Sequence, residues 1–133
     1  MLLKLFWFKM IIDCKIYSIE GQRNFGALRV QFHTATEIRP LADDFAEALE
    51  QRFSGRVGRG EFVHGTRFWG SGQFAFYQLF PGVAGVEEAA VQCHDVKSDW
   101  AYVRLKANQF DPRAFLAEYA TEHLRQIPLD PST

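Results

Sequence analysis

The clearest pattern in the chain is the stretch ALRVQFHTA, residues 27–35. Apolar and polar side chains alternate through it: Leu28, Val30 and Phe32 against Arg29, Gln31 and His33. Successive side chains of a strand point to opposite faces, so this period of two predicts a strand with one buried and one polar face. Residues 10–19 alternate in the same way, and the polar residues 20–26 between the two stretches predict a loop. The chain is therefore expected to open with a β-hairpin.

A helix is predicted next, over residues 40–53. Large apolar residues recur every four positions and make one stripe, with members Leu41, Phe45, Leu49 and Phe53. Pro40 suits the first helical turn, where its missing N–H costs nothing. Asp43 and Asp44 are interpreted as solvated charges near the positive end of the helix dipole. Gly55 predicts the end of the helix.

Four strands and a second helix are predicted to follow. The strands cover residues 61–69, 73–80, 86–96 and 100–106, with turns at residues 56–60, 70–72, 81–85 and 97–99. Residues 86–96 fit a strand or a helix, and the alternation of Ala89, Val91 and Cys93 favours the strand. Asp111 is the expected N-cap of the last helix and Pro112 its first residue.

This order, β-β-α-β-β-β-β-α, predicts an α+β fold. We expect an antiparallel sheet of about six strands with two amphipathic helices packed on one face. The 133 residues form a single domain, 1–133, large enough to bury a core without a metal or a disulfide. Residues 1–9 are either an extra N-terminal segment or an upstream addition to a chain that starts at Met10. Residues 128–133 are expected to be a disordered tail.

Composition narrows the classes of function. The net charge is −1, so neither a basic field for nucleic acid nor an acidic field covers the domain, and we expect no nucleic-acid partner. The apolar run of residues 5–8 is too short for a signal peptide, and no stretch is long enough to span a membrane. We expect a cytoplasmic protein without a membrane partner. Cys14 and Cys93 are interpreted as buried thiols, with a disulfide as the alternative.

The residues that carry chemistry make no recognisable catalytic or metal motif. His33, His64, His94 and His123 show no metal-ligand spacing, and we expect surface or half-buried side chains. Cys93 and His94 point to opposite faces of a strand, so they cannot act together as nucleophile and base. No catalytic residue, metal or cofactor is predicted.

Basic and aromatic residues indicate a binding surface instead. Trp, Tyr and Arg carry much of the energy of protein interfaces. The predicted partner-binding residues are Arg56, Arg59, Arg67, Trp69, His33 and Arg29. The strands 61–69 and 73–80 are apolar on both faces. Two helices cover only one face, so the second needs the N-terminal residues 5–8, a second copy of the chain or a partner to cover it.

Three stretches share their order with a known family. They are residues 27–32 leading into the helix 41–53, the turn at residues 68–72, and residues 100–105 leading into Phe110, Asp111 and Pro112. This layout resembles small immunity proteins of bacterial polymorphic and contact-dependent toxin systems, in particular the WapI-type immunity family. The resemblance implies a non-enzymatic protein that binds and neutralises a cognate toxin, and it maps no individual functional residue.

The resulting expectation is a non-catalytic protein-binding domain whose partner is a toxin domain. One alternative is a homodimeric structural or small-ligand-binding domain, in which a second copy or a ligand occupies the apolar sheet face. Another is a small enzyme that uses His33, His64 or His94, which requires at least two of these side chains to meet in one cleft.

Overall fold

The computed structural model describes residues 11–19, 22–65 and 74–124. In chain order its elements are β1 (Ile11–Ile19), β2 (Gln22–Glu37), α1 (Arg39–Phe53), β3 (Val57–Gly65), β4 (Phe74–Pro81), β5 (Val86–Cys93), β6 (Lys97–Ala107), α2 (Pro112–Tyr119) and one π-helical turn (Ala120–Leu124). The α+β class and the order β-β-α-β-β-β-β-α predicted from the sequence are confirmed.

The strands form one six-stranded sheet in the order β1-β2-β6-β5-β4-β3, and every neighbouring pair is antiparallel. β3 lies four strand positions from β2 in this order. Because the direction reverses at each position, β2 and β3 run parallel to each other. Parallel strands need a crossover connection, and α1 supplies it. The last strand, β6, lies between β2 and β5 and joins the opening hairpin to the meander of the other three strands.

The core lies between one face of the sheet and the two helices. Alternate residues of the strands are buried there, among them Leu28, Val30, Tyr77, Leu79, Val91, Cys93, Ala101, Val103 and Leu105. Phe45 of α1 joins the helices to each other, because its ring centroid lies 6.4 Å from that of Phe115 and 5.2 Å from that of Tyr119. Ala101, Val103 and Leu105 of β6 are fully buried there.

α1 ends at Phe53, as predicted, but the residue that terminates it is Ser54 and not Gly55. Ser54, not Gly55, is in the left-handed conformation, with φ 55° and ψ 40°, and its N–H donates to the Glu50 carbonyl at 2.9 Å. Gly55 is where a side chain would be crowded, since an added Cβ would lie 3.0 Å from Val83 Cγ2. The turn is therefore set by packing against the loop before β5.

Parts of three predicted loops are the first residues of strands. Residues 22–26 belong to β2, residues 57–60 to β3 and residues 97–99 to β6. Pairing with distant strands overrides the local turn composition: Gly26 lies opposite Leu105, and Gly58 lies opposite Phe80. The turn before β6 is made by residues 94–96 instead. Residues 86–93 are a strand, as preferred, and the Asp111 side chain caps α2 by accepting from the Arg113 N–H at 3.0 Å.

The side of the sheet away from the helices is called the second face. Residues opposite each other in a pair of antiparallel strands share a face. Through the pairings of β1, β2, β6, β5 and β4, one row across the second face consists of Lys15, Arg29, Tyr102, Gln92 and Phe76. Phe76 and Gln92 are buried, whereas Phe80, four residues beyond Phe76 on the same strand, is 61% exposed. The proposed cover by residues 5–8 and the turn at residues 70–72 lie outside the described residues.

Candidate functional site

Four side chains from three neighbouring strands make a cluster on the second face. We call Tyr17, Arg29, Trp100 and Tyr102 the aromatic cluster. The Tyr102 ring is at its centre: its centroid lies 6.0 Å from that of Tyr17 and 5.6 Å from that of Trp100, both in edge-to-face geometry. The Arg29 guanidinium carbon lies 5.9 Å from the same centroid. Edge-to-face rings and a cation over a ring are both favourable arrangements.

The strand register explains how the cluster forms. Tyr17 of β1 and Tyr102 of β6 belong to strands that flank β2, about 9.6 Å apart at the usual strand spacing. Their rings approach across β2 because Tyr17 lies opposite Ala27, whose side chain is a single methyl group. Arg29, the next residue of β2 on this face, lies directly opposite Tyr102. The four positions are thus held by backbone pairing in the middle of three strands.

The aromatic cluster is accessible to a partner. Tyr17 is 36% exposed, and Arg29, Trp100 and Tyr102 are half-buried. Beside the cluster, the side chains of the second face are buried and not accessible to a partner. Arg104 is buried, stacks 4.6 Å from the Phe25 ring centroid and donates from Nη1 to Gln92 Oε1 at 2.9 Å. Burial lowers the pKa of the Arg104 guanidinium to about 9, which still leaves it protonated at neutral pH. We interpret Arg104 as a structural residue of this face.

The predicted partner-binding residues lie on different parts of the molecule. Arg29 belongs to the aromatic cluster, and His33 is exposed further along β2. Arg56 is exposed in the turn after α1. Arg59 lies on the helix side of β3, where its Nη1 is 2.7 Å from Glu50 Oε2. Four strand steps, about 19 Å, separate β2 from β3.

Arg29 and Arg59 therefore do not share a surface. Arg67 and Trp69 lie outside the described residues.

Of the three histidines considered for catalysis, His33 lies in β2 and His64 in β3, whereas His94 lies in the turn before β6. His33 and His94 are both exposed, and of His64 only the backbone position in β3 is described. Among the described residues, no group of three or more His, Cys, Asp and Glu side chains is arranged to hold a metal ion. Cys14 and Cys93 are free thiols and buried, as expected, and burial raises the pKa of each to about 12.

A second candidate site lies between the helices, and the sequence did not predict it. Asp44 of α1 is only 3% exposed and is not the solvated charge that its position suggested. Its Oδ2 accepts from the Tyr119 hydroxyl at 2.9 Å and lies 3.1 Å from His123 Nδ1. Burial, followed by the charge and hydrogen bond of Asp44, raises the pKa of Tyr119 well above its usual value, so the phenol keeps its proton and donates.

His123 of the π-helical turn belongs to this site. The turn covers Ala120–Leu124, directly after Tyr119, and the ring centroids of Tyr119 and His123 lie 5.0 Å apart. A π-turn within an α-helix is frequently found at a functional site. No pattern in the sequence predicts this turn, because the apolar spacing of residues 115–124 fits an ordinary α-helix.

A groove opens beside His123, between α1 and α2. We call it the interhelical groove, and its volume is about 170 Å³. It is lined by residues of both helices, including Gln51, Arg52, Phe115, Glu118, Glu122 and His123. Arg52 Nη1 and Glu118 Oε1, atoms of two lining residues, form an ion pair at 2.8 Å, with about half of each side chain exposed. The groove is thus lined by charged and polar side chains and by the Phe115 ring.

Comparison of the chain with protein-family models, curated proteins and solved structures gave no match. Among the described residues, neither helix is long and apolar enough to cross a membrane.

Proposed function

We propose that this chain is a non-catalytic protein-binding domain and that the aromatic cluster is the centre of its binding surface. The observation that carries the proposal is the contact of Tyr17, Trp100 and Arg29 with the central Tyr102 ring on an accessible sheet face. Tyr, Trp and Arg are the residue types most enriched among the dominant contacts of protein interfaces.

The placement of the cluster also favours binding. Paired strands hold the backbone of all four residues, so few backbone degrees of freedom are lost on association. The edge-to-face rings restrict one another in the same way. Binding by a preorganised surface leaves more of the contact energy available as affinity.

The charge of the cluster indicates what it contacts. Arg29 presents a guanidinium over Tyr102, and Lys15 lies opposite Arg29 on β1. A guanidinium forms paired hydrogen bonds with a carboxylate. We therefore propose a partner surface that offers an Asp or Glu side chain beside apolar area. A toxin domain is the specific partner that the resemblance to immunity proteins suggests, and the buried free thiols Cys14 and Cys93 suit a reducing cytoplasm.

The experiment first determines whether a toxin-like gene adjoins the gene for this chain and, where one does, measures binding to its product. Calorimetry with the purified wild-type domain and with Trp100→Ala and Arg29→Ala is compared with Phe80→Ala, which removes an exposed ring on the same face outside the cluster. We expect each cluster variant to weaken binding by about tenfold or more and the Phe80 variant by less than about twofold.

Two results contradict parts of this proposal. Unchanged affinity in both cluster variants, with the partner still bound, removes the aromatic cluster as the site. The remaining positions predicted from the sequence are then tested with the variants Arg56→Ala, Arg59→Ala, Arg67→Ala, Trp69→Ala and His33→Ala. Absence of binding together with a dimer in sedimentation that Trp100→Ala dissociates favours the homodimeric alternative.

A further inference from the structure

The interhelical groove has a defined hydrogen-bonding character. A carboxylate only accepts hydrogen bonds, so the contact between Asp44 Oδ2 and His123 Nδ1 requires the imidazole proton to be on Nδ1. In the neutral ring the other nitrogen, Nε2, is then an acceptor with a lone pair. Nδ1 faces the buried Asp44, so Nε2 points away from it, and the His123 side chain, which is 20% exposed, lines the groove.

The charges around the groove also favour a ligand that donates hydrogen bonds. Two carboxylates, those of Glu118 and Glu122, line it, and one guanidinium, that of Arg52, is paired with Glu118. Among the described residues Glu122 forms no ion pair. Of the lining residues, Glu122 therefore contributes one negative charge that no lining cation balances. The groove therefore favours a ligand that carries positive charge and N–H donors.

The size of the groove limits the ligand. An engineered cavity of about 150 Å³ is large enough to bind benzene, whereas sites for drug-sized ligands are about 300 Å³ or more. The interhelical groove, at about 170 Å³, is close to the smaller of these. It has room for a short carbon chain with one charged end, and the Phe115 ring in its wall offers apolar contact for that chain.

We propose that the interhelical groove binds a small organic cation with a primary ammonium group. The ammonium donates to His123 Nε2 and is balanced by the Glu122 carboxylate, and its alkyl part packs on Phe115. Asp44 and Tyr119 are positioning residues that fix the orientation of the imidazole. The site lies on the helix side of the sheet and does not depend on the partner surface proposed for the second face.

The test uses butylammonium chloride as the probe and 1-butanol as its neutral counterpart, both at constant ionic strength. Long-range proton–nitrogen NMR spectra follow the imidazole nitrogens of His123, and amide spectra follow residues 118–124. We expect saturable shifts of His123 Nε2 and of these amides with butylammonium, and an apparent affinity for butanol at least about tenfold weaker.

Matched charge variants locate the site. Glu122→Gln removes a carboxylate from the groove, and Glu61→Gln removes one from an exposed position on β3. We expect about a two- to fivefold loss of butylammonium affinity in the first and no change in the second. His123→Phe is expected to abolish the saturable component.

The proposal is overturned if butanol and butylammonium shift the signals equally. It is also overturned if the shifts rise linearly without saturation, or if the two Glu variants behave alike. The Glu variants decide the matter even if His123→Phe fails to fold, since both replace a charged surface side chain by its isostere.

Discussion

At the scale of single residues, Asp44 joins the two helices. Its carboxylate accepts from the Tyr119 hydroxyl and contacts His123 Nδ1 in a buried environment. Replacing Asp44 with Ala leaves two donors without this acceptor, and each buried donor that loses its partner costs about 1–3 kcal/mol. We expect Asp44→Ala to lower the free energy of unfolding by about 3 kcal/mol in urea titrations. Asp43→Ala, at the neighbouring half-buried position, should change it by less than about 0.5 kcal/mol.

A double-mutant cycle separates the hydrogen bond from the rest of that loss. Tyr119→Phe removes only the hydroxyl, and we expect a coupling energy with Asp44→Ala of about 0.5–3 kcal/mol. Additive effects of the two substitutions would show that the Asp44–Tyr119 contact contributes nothing to stability.

The sequence could not reveal this contact. Asp44 borders the apolar stripe of α1, and the sequence around it describes only the helix to which it belongs. The donors that make a buried carboxylate acceptable are 75 and 79 positions away, in an element whose packing against α1 depends on the whole sheet. The position of Arg29, in contrast, could be predicted from the sequence. The alternation of apolar and polar residues in β2 places Arg29 on the strand face opposite Leu28 and Val30.

At the scale of elements, the end of α1 contains a backbone conformation that is unfavourable for its residue. Ser54 has φ 55°, in the left-handed region that costs a residue with a side chain about 1–2 kcal/mol and costs glycine little. We expect Ser54→Gly to raise the free energy of unfolding by about 0.5–1 kcal/mol, after the greater entropy of glycine in the unfolded chain is included. Ser54→Ala keeps the unfavourable conformation and is the control. A stability of Ser54→Gly equal to that of the Ala variant would contradict the assignment of the strain.

The elements themselves were predictable because helices and strands differ in period. The apolar stripe of α1 and the alternation in β2 are properties of the local sequence. The starts of β2, β3 and β6 were not predictable, since residues that favour turns were drawn into strands by distant partners. Gly26, for example, is in β2 because it pairs with Leu105 of β6.

At the scale of the whole molecule, the order of strands in the sheet determines the candidate surfaces. Tyr17 and Tyr102 are far apart in sequence, and their rings meet only because β6 is inserted next to β2. Strand order depends on which pairings bury the most apolar surface at once, which no single segment encodes. For this reason the sequence predicted a binding surface rich in Arg and aromatic residues but did not identify Trp100 and Tyr102 as its members.

The two buried thiols give the molecule a characteristic response to alkali. Burial raises the pKa of Cys14 and of Cys93 from 9.0 to about 12. Because the folded value is the higher one, the stability due to each thiol is fully present below pH 9 and is lost as the pH rises toward 12. Between pH 8 and pH 10.5 we expect each thiol to cost about 2 kcal/mol of unfolding free energy.

Urea titrations at these two pH values should therefore show a smaller loss of unfolding free energy in Cys14→Ala and in Cys93→Ala than in the wild type. The loss should be smallest in the double variant. Lysines and exposed tyrosines ionise equally in all four proteins, so an identical loss in all of them would show that neither thiol is protected by burial.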